Sequence, residues 1–218
     1  MVHIIQDFIP VGRNNRPGRA NSMKYITVHN TGNTGVGAGA KNHAAYIKGD
    51  AAASIPASWH YTCDEHVIYQ HIPDTEIAWH AGDGGTGPGN NTSIGIEICM
   101  NSDGDLLKAT DNGVWLTADL MKRHSIPITN IVQHHHWSGK NCPQMLRQGK
   151  PYSWAEFISK VQAAVSEPTQ EDTVPVVVGD GLTLEGIRIH GSVYAAVRPV
   201  CEALGHTVHW DGKQVLIE

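Results

Sequence analysis

Ser93-Ile94-Gly95-Ile96-Glu97-Ile98-Cys99-Met100 is the segment from which the fold can be read. Three isoleucines alternate with Gly95, Glu97 and Cys99, and alternation with a period of two marks a β-strand with one apolar face. Tyr25-Ile26-Thr27-Val28-His29-Asn30 repeats the pattern: Ile26 and Val28 face one way and His29 the other. If the two strands are neighbours, His29 and Glu97 line the same polar side of one sheet. A glutamate set among aliphatic residues needs a partner if it is buried.

Working outward, residues 60–64, 66–72 and 131–134 also read as strands. Residues 107–124 carry Trp115, Leu116, Leu120 and Met121 at helical spacing. Ser153-x-x-Glu156 is a capping box that opens a helix through about Val165, with Phe157, Val161 and Ala164 on one face. An alanine-rich stretch, 38–48, is a further helix ended by Gly49. Strands mixed with helices over residues 1–165 predict an α/β domain, a central mixed β-sheet flanked by helices. Residues 166–173, acidic and without large apolar side chains, read as a linker. Beyond it, 174–178, 182–189 and 207–217 are β-like and 198–204 is a short helix, so 174–218 is expected to form a small α+β accessory domain of ββαβ type.

Charge and cysteine usage exclude several classes. The 218 residues carry 16 Lys+Arg against 21 Asp+Glu, a net charge of −5. Residues 1–165 are balanced, with 13 of each sign, so the tail holds the whole excess. No basic patch points to a nucleic-acid partner. No apolar run approaches the length of a membrane span, and the start, Met1-Val2-His3-Ile4-Ile5-Gln6-Asp7, has no cationic segment of the secretory kind. The four cysteines, at 63, 99, 142 and 201, form neither a C-x-x-C pair nor a dense framework, and read as free thiols with one available as a metal ligand.

The chemistry concentrates in Gln133-His134-His135-His136-Trp137-Ser138-Gly139-Lys140-Asn141-Cys142-Pro143. Two histidines and one cysteine hold zinc with a fourth position open, as catalytic sites do. His29, His134 and Cys142 are such a set if they meet in space. Taken singly, each has a plainer reading: His29 as a hydrogen-bonded core residue, the triple histidine as a polar turn, Cys142 as a small buried hydrophobe. The run 82–89, rich in glycine, lacks the Gly-Lys-Ser/Thr ending of a phosphate loop and reads as a surface loop beside a cleft. A glycosidase pair would need a second acid beside Glu97, and no spacing, to Asp83 or elsewhere, supports one.

Five ordered motifs carry a resemblance: Tyr25–Asn30 with Thr31, Ser58-Trp59-His60-Tyr61, Ala78-Trp79-His80-Ala81-Gly82, Ser93–Cys99 and His134–Pro143. Together they resemble the zinc-dependent N-acetylmuramoyl-L-alanine amidases of phage endolysins and bacillus-type autolysins, whose fold is shared with the T7 lysozyme and the peptidoglycan recognition proteins. The resemblance spans about Ile4 to Val165. It implies that His29, His134 and Cys142 bind zinc, that Glu97 is the catalytic glutamate and that Lys140 helps to stabilise the transition state. Trp59, His60 and His80 are the expected substrate-binding residues. Trp59 stands where some relatives have a tyrosine, and it has no phenolic hydroxyl to offer. His135 and His136 are left without a role.

The implied substrate is peptidoglycan, cut between N-acetylmuramic acid and L-alanine. In the tail, Leu184-Glu185-Gly186-Ile187, Val193-Tyr194-Ala195-Ala196-Val197-Arg198 and the stretch from Cys201 to Asp211 resemble the stalk module named after the amine oxidase N-terminal domain, which suggests wall binding or self-association into a homo-oligomer. The resemblance further suggests an endolysin made in a host cytoplasm and released to the wall. A non-catalytic peptidoglycan-binding protein and a cytosolic muropeptide-recycling amidase are the alternative readings.

Overall fold

The computed structural model of the chain describes residues 2–166, 173–178, 182–189, 192–210 and 215–217. Two compact units form, Met1–Val165 and Ser166–Glu218. Of the linker expected over 166–173, only Ser166 and Thr173 fall within the described residues.

The first unit is built on a six-stranded sheet. Its strands are β1 (Ile4–Gln6), β2 (Tyr25–Asn30), β3 (Tyr61–Cys63), β4 (Ile68–Gln70), β5 (Ser93–Ile98) and β6 (Ile131–Gln133), in the spatial order β1-β4-β3-β5-β2-β6. Only β3 and β4 pair antiparallel, so the sheet is mixed, as the alternating strands and helices predict. β2 and β5 lie side by side in parallel, and their register sets His29 opposite Glu97.

Ile26 and Val28 from β2 and Ile94, Ile96 and Ile98 from β5 are fully buried on one face. There they meet Leu116 and Leu120 of α4 (Leu106–His124) and Phe157 and Val161 of α7 (Trp154–Ser166). Burying each such side chain stabilises the fold by roughly 1.5–3 kcal/mol. α4 approaches closely because it presents Gly113 to the sheet: a Cβ there would come within 2.8 Å of Ile98 Cδ1. Asp105 caps α4 by accepting from the Lys108 amide, and Ser153 caps α7 by accepting from that of Glu156.

Between the strands lie α1 (Ala40–Lys48), α2 (Asp50–Ala53) and α3 (Pro88–Thr92), and after β6 come α5 (His135–Ser138) and α6 (Gln144–Arg147). α1 starts two residues later than its composition suggests, where the Asp64 carboxylate accepts from the Ala40 amide. β1 and α3 are absent from the sequence-based expectation. β1 is a three-residue strand recruited by β4, too short for a periodic signal. α3 closes the glycine-rich run, with Pro88 pre-set in its first turn.

The second unit contains a three-stranded antiparallel sheet, β7 (Thr173–Val178), β8 (Leu182–Ile189) and β9 (Ser192–Ala195), then α8 (Val197–Ala203) and the antiparallel pair β10 (Val208–Trp210) and β11 (Val215–Ile217). The expected ββαβ order is thus corrected: β9 is additional, and 207–217 holds two strands instead of one. Among the described residues, no helix is long and apolar enough to cross a membrane.

Candidate metal centre

On the sheet face opposite the isoleucines, three donors converge. His29 Nδ1 lies 3.0 Å from His134 Nδ1 and 3.8 Å from Cys142 Sγ, and all three ligand atoms lie within 4.8 Å of one another. Each residue is buried. Zn–N bonds of about 2.0–2.1 Å and a Zn–S bond of about 2.3 Å at tetrahedral angles would separate such donors by about 3.3 and 3.6 Å. The observed spacings bracket those values, so the donor set fits zinc.

Local structure explains how residues so far apart meet. His29 is set by the ladder of β2. The His134 amide donates to Val28 O, which seats the end of β6 beside it. α5 then turns the chain, Gly139 adopts the left-handed conformation with φ 73°, and the His135 amide donates to Cys142 O. That reversal returns the cysteine to the histidine eight residues earlier. His135 and His136 lie on the exposed outside of this turn, and His136 packs edge-on against Trp137.

Glu97 stands next to this cluster. Its Oε1 is 3.9 Å from His29 Nδ1, its side chain is 15% exposed, and its Oε2 is buried without a hydrogen-bond partner. An unsatisfied buried carboxylate oxygen beside three donor atoms is suited to accept from a water at the centre. Burial pushes the Glu97 carboxyl up to about 8, and the nearby Lys140 ammonium pulls the other way. The Lys140 charge also lowers His29, His134 and Cys142, which places this exposed side chain within electrostatic reach of the whole centre. Burial, reinforced by neighbouring imidazoles, holds His29 far below its usual range, and burial lowers His134 too. Both shifts favour the neutral ring that metal ligation requires. Burial first, and Glu97 next, push the Cys142 thiol up to about 12, so it ionises only when a cation is supplied.

The three residues expected to meet substrate are placed differently from one another. Trp59 lines a hollow of about 330 Å³ with Thr31, Asn33, Ala38, Asn42, His43 and Tyr46. A second hollow, of about 420 Å³, is lined by Pro56, Trp79, Gly82, Gly84, Gly85 and Asn90. His60 belongs to the scaffold: it is fully buried, accepts from the Gly95 amide at Nδ1 and donates from Nε2 to Glu76 O. His80 is buried behind His29, with its Nδ1 3.0 Å from His29 Nε2. Strand alternation tells which face a residue occupies but not its depth, and both of these histidines are buried. Thr27, Ser93 and Trp137 form a hydrogen-bonded chain that ends on His80; as ordinary strand and turn residues they give no signal in the sequence.

A buried His/His/Cys set beside a carboxylate is the make-up of a hydrolytic metal centre. The chain belongs to the N-acetylmuramoyl-L-alanine amidase family, whose model matches residues 19–145 and so covers all four site residues and Lys140. It is 51% identical over 183 residues to the N-acetylmuramoyl-L-alanine amidase XlyA of Bacillus subtilis, covering 84% of this chain and 57% of that protein. It is 49% identical over 170 residues to CwlH, an amidase of the same name and organism, covering 78% of this chain and 65% of the relative. The chain thus spans less than two thirds of the length of either. The solved catalytic domain of XlyA superposes with a TM-score of 0.68 at 54% identity, covering 73% of this chain and 99% of that domain. The structure of PlyL superposes with a TM-score of 0.65 at 36% identity, covering 73% of this chain and 97% of the other.

Proposed function

We propose that this chain is a zinc-dependent peptidoglycan amidase that hydrolyses the bond between the lactyl group of N-acetylmuramic acid and L-alanine. The observation that carries the reading is the meeting of His29, His134 and Cys142 beside the unsatisfied Glu97 carboxylate, in a member of the amidase family. His29, His134 and Cys142 would hold the ion. Bound zinc supplies Lewis acidity, polarising the scissile carbonyl and making water a nucleophile near neutral pH. Glu97, whose ionised form a cation held beside it would favour, takes the proton of the attacking water and returns it to the leaving amine. The Lys140 ammonium faces the charge that develops on the carbonyl oxygen, a role commonly worth about 3–4 kcal/mol per donor. Trp59 forms part of the wall against which the substrate lies.

The test is digestion of purified cell walls with and without a chelator. New free N-terminal alanine that disappears with the chelator supports the reading. New reducing sugar would identify a glycosidase, and binding without product would identify a recognition protein. A Cys142→Ser chain that kept full zinc content and full activity would remove the ligand assignment. For the second unit we propose a role in holding the enzyme to the wall. A chain ending near Ser166 that bound and lysed walls as well as the full chain would refute that role.

A further inference from the structure

His80 and its neighbours form a chain of hydrogen bonds in which every proton can be assigned. Ser93 Oγ lies 2.6 Å from Gly89 O, and a carbonyl only accepts, so the one hydroxyl proton of Ser93 is committed there. Thr27 Oγ1, 2.8 Å from Ser93 Oγ, must then be the donor in that pair, and Trp137 Nε1 in turn donates to Thr27 Oγ1 at 2.9 Å. His80 Nε2 faces Ser93 Oγ at 3.4 Å, the longest link, and with the serine proton spent elsewhere this nitrogen has to bear a hydrogen. In a neutral ring that leaves His80 Nδ1 bare. Across 3.0 Å stands His29 Nε2, which must therefore carry its own hydrogen. The consequence falls on the far side of the same ring: His29 Nδ1, the atom that faces His134 and Cys142, is left with its lone pair.

The position of His80 is built into the backbone around it. The His80 and Ala81 amides both donate to Asn90 Oδ1, each at 2.8 Å. Gly95 of β5 lies under the ring, and a Cβ there would come within 2.7 Å of His80 Cγ. Gly89, whose carbonyl anchors the serine, is equally confined, since a Cβ on it would meet Trp137 at 2.7 Å.

We infer that His80 is a positioning residue which, locked by Ser93, Thr27 and Gly89, fixes His29 in the single tautomer that presents Nδ1 to a metal. The inference rests on the zinc reading for its purpose. The tautomer itself is a property of the metal-free chain, so the two can fail separately. Partners of this kind behind a ligating histidine are typically worth about 10–100-fold in metal affinity.

The experiment uses the full chain labelled with 15N. In the metal-free wild type, long-range 1H–15N spectra should show His29 protonated at Nε2 and bare at Nδ1; a His29 protonated at Nδ1 overturns the inference. Zinc affinity is then measured by competition with a chromophoric chelator. His80→Leu removes the acceptor and should weaken binding about 10–100-fold. In His80→Asn the side-chain oxygen takes the place of Nδ1 and should restore most of that affinity, together with the His29 tautomer. Equal losses in the two variants would mean that His80 merely fills space, and undiminished affinity with an unchanged His29 tautomer in His80→Leu would mean that it does nothing for the ligand; either result overturns the inference. A wild-type chain that took up no zinc would refute the metal reading while leaving the tautomer to be judged from the metal-free spectra.

Discussion

The two faces of the central sheet are made from the same strands and held by different physics. On one, Ile26, Val28, Ile94, Ile96 and Ile98 lie against α4 and α7 in an aliphatic core. On the other, Thr27, His29, Ser93 and Glu97 lie among buried histidines, and almost every polar atom has a named partner. The aliphatic face draws its stability from area removed from water, a non-directional term that accepts many shapes of similar volume. The polar face contributes through saturation, because an unpaired buried group costs about 1–3 kcal/mol. Its exceptions are therefore informative, and one of them, Glu97 Oε2, lies beside the three donor atoms. One face supports the fold, and the other supports an arrangement of donors.

Glu97→Gln should separate the faces most sharply. Wall hydrolysis is expected to fall by about 10²–10⁴-fold, with the metal-free chain folding at least as stably as before. A second readout comes from pH. The folded chain keeps the Glu97 proton to about 8, whereas the unfolded chain releases it near the ordinary 4.5, so the unfolded state binds fewer protons between those values. Metal-free stability should accordingly decline as pH rises through that window, and Glu97→Gln should flatten the decline. Activity retained in the variant would break the proposed division of labour.

Ile96→Ala probes the other face. A fully buried isoleucine should cost about 3 kcal/mol by urea denaturation, with zinc affinity unchanged in the folded fraction. A parallel fall in affinity would show that the faces are mechanically coupled.

Tyr61→Phe tests the place where the aliphatic face borrows the logic of the polar one. The Tyr61 hydroxyl donates to Asp74 Oδ1 at 2.6 Å, while Arg123 and His124 reach Asp74 Oδ2 at 3.0 and 2.7 Å. Losing that hydroxyl should cost about 2 kcal/mol in thermal unfolding and leave the centre untouched. A loss well below 1 kcal/mol would mean that Gln70, Arg123 and His124 satisfy Asp74 without it.

The aliphatic face is legible in the sequence because period-two alternation reports it directly, and Glu97 opposite His29 follows if β2 and β5 are neighbours. His134 and Cys142 were legible through their spacing and residue types. His60 and His80 were not: a histidine in a motif looks the same whether it meets substrate or holds a neighbour. Only the Gly95 amide and Glu76 carbonyl on His60, and the His29 ring against His80, distinguish the two cases. Ser93 and Thr27 were invisible for a related reason, since their importance lies in where one hydroxyl proton goes. In the tail, β9 leaves no mark in the sequence because Ser192–Ala195 is too short for alternation to register.

The parallel pairing of β2 with β5 gives the centre a discrete address. A slip of one residue would turn an isoleucine toward His29 and the glutamate toward the core, and a slip of two, which preserves the faces, would carry Glu97 about 6.6 Å along the strand. No intermediate setting of that separation is open to the ladder. Any finer setting of the distance between carboxylate and metal donors therefore falls to the turn that carries His134, Gly139 and Cys142, which lies outside the strand register.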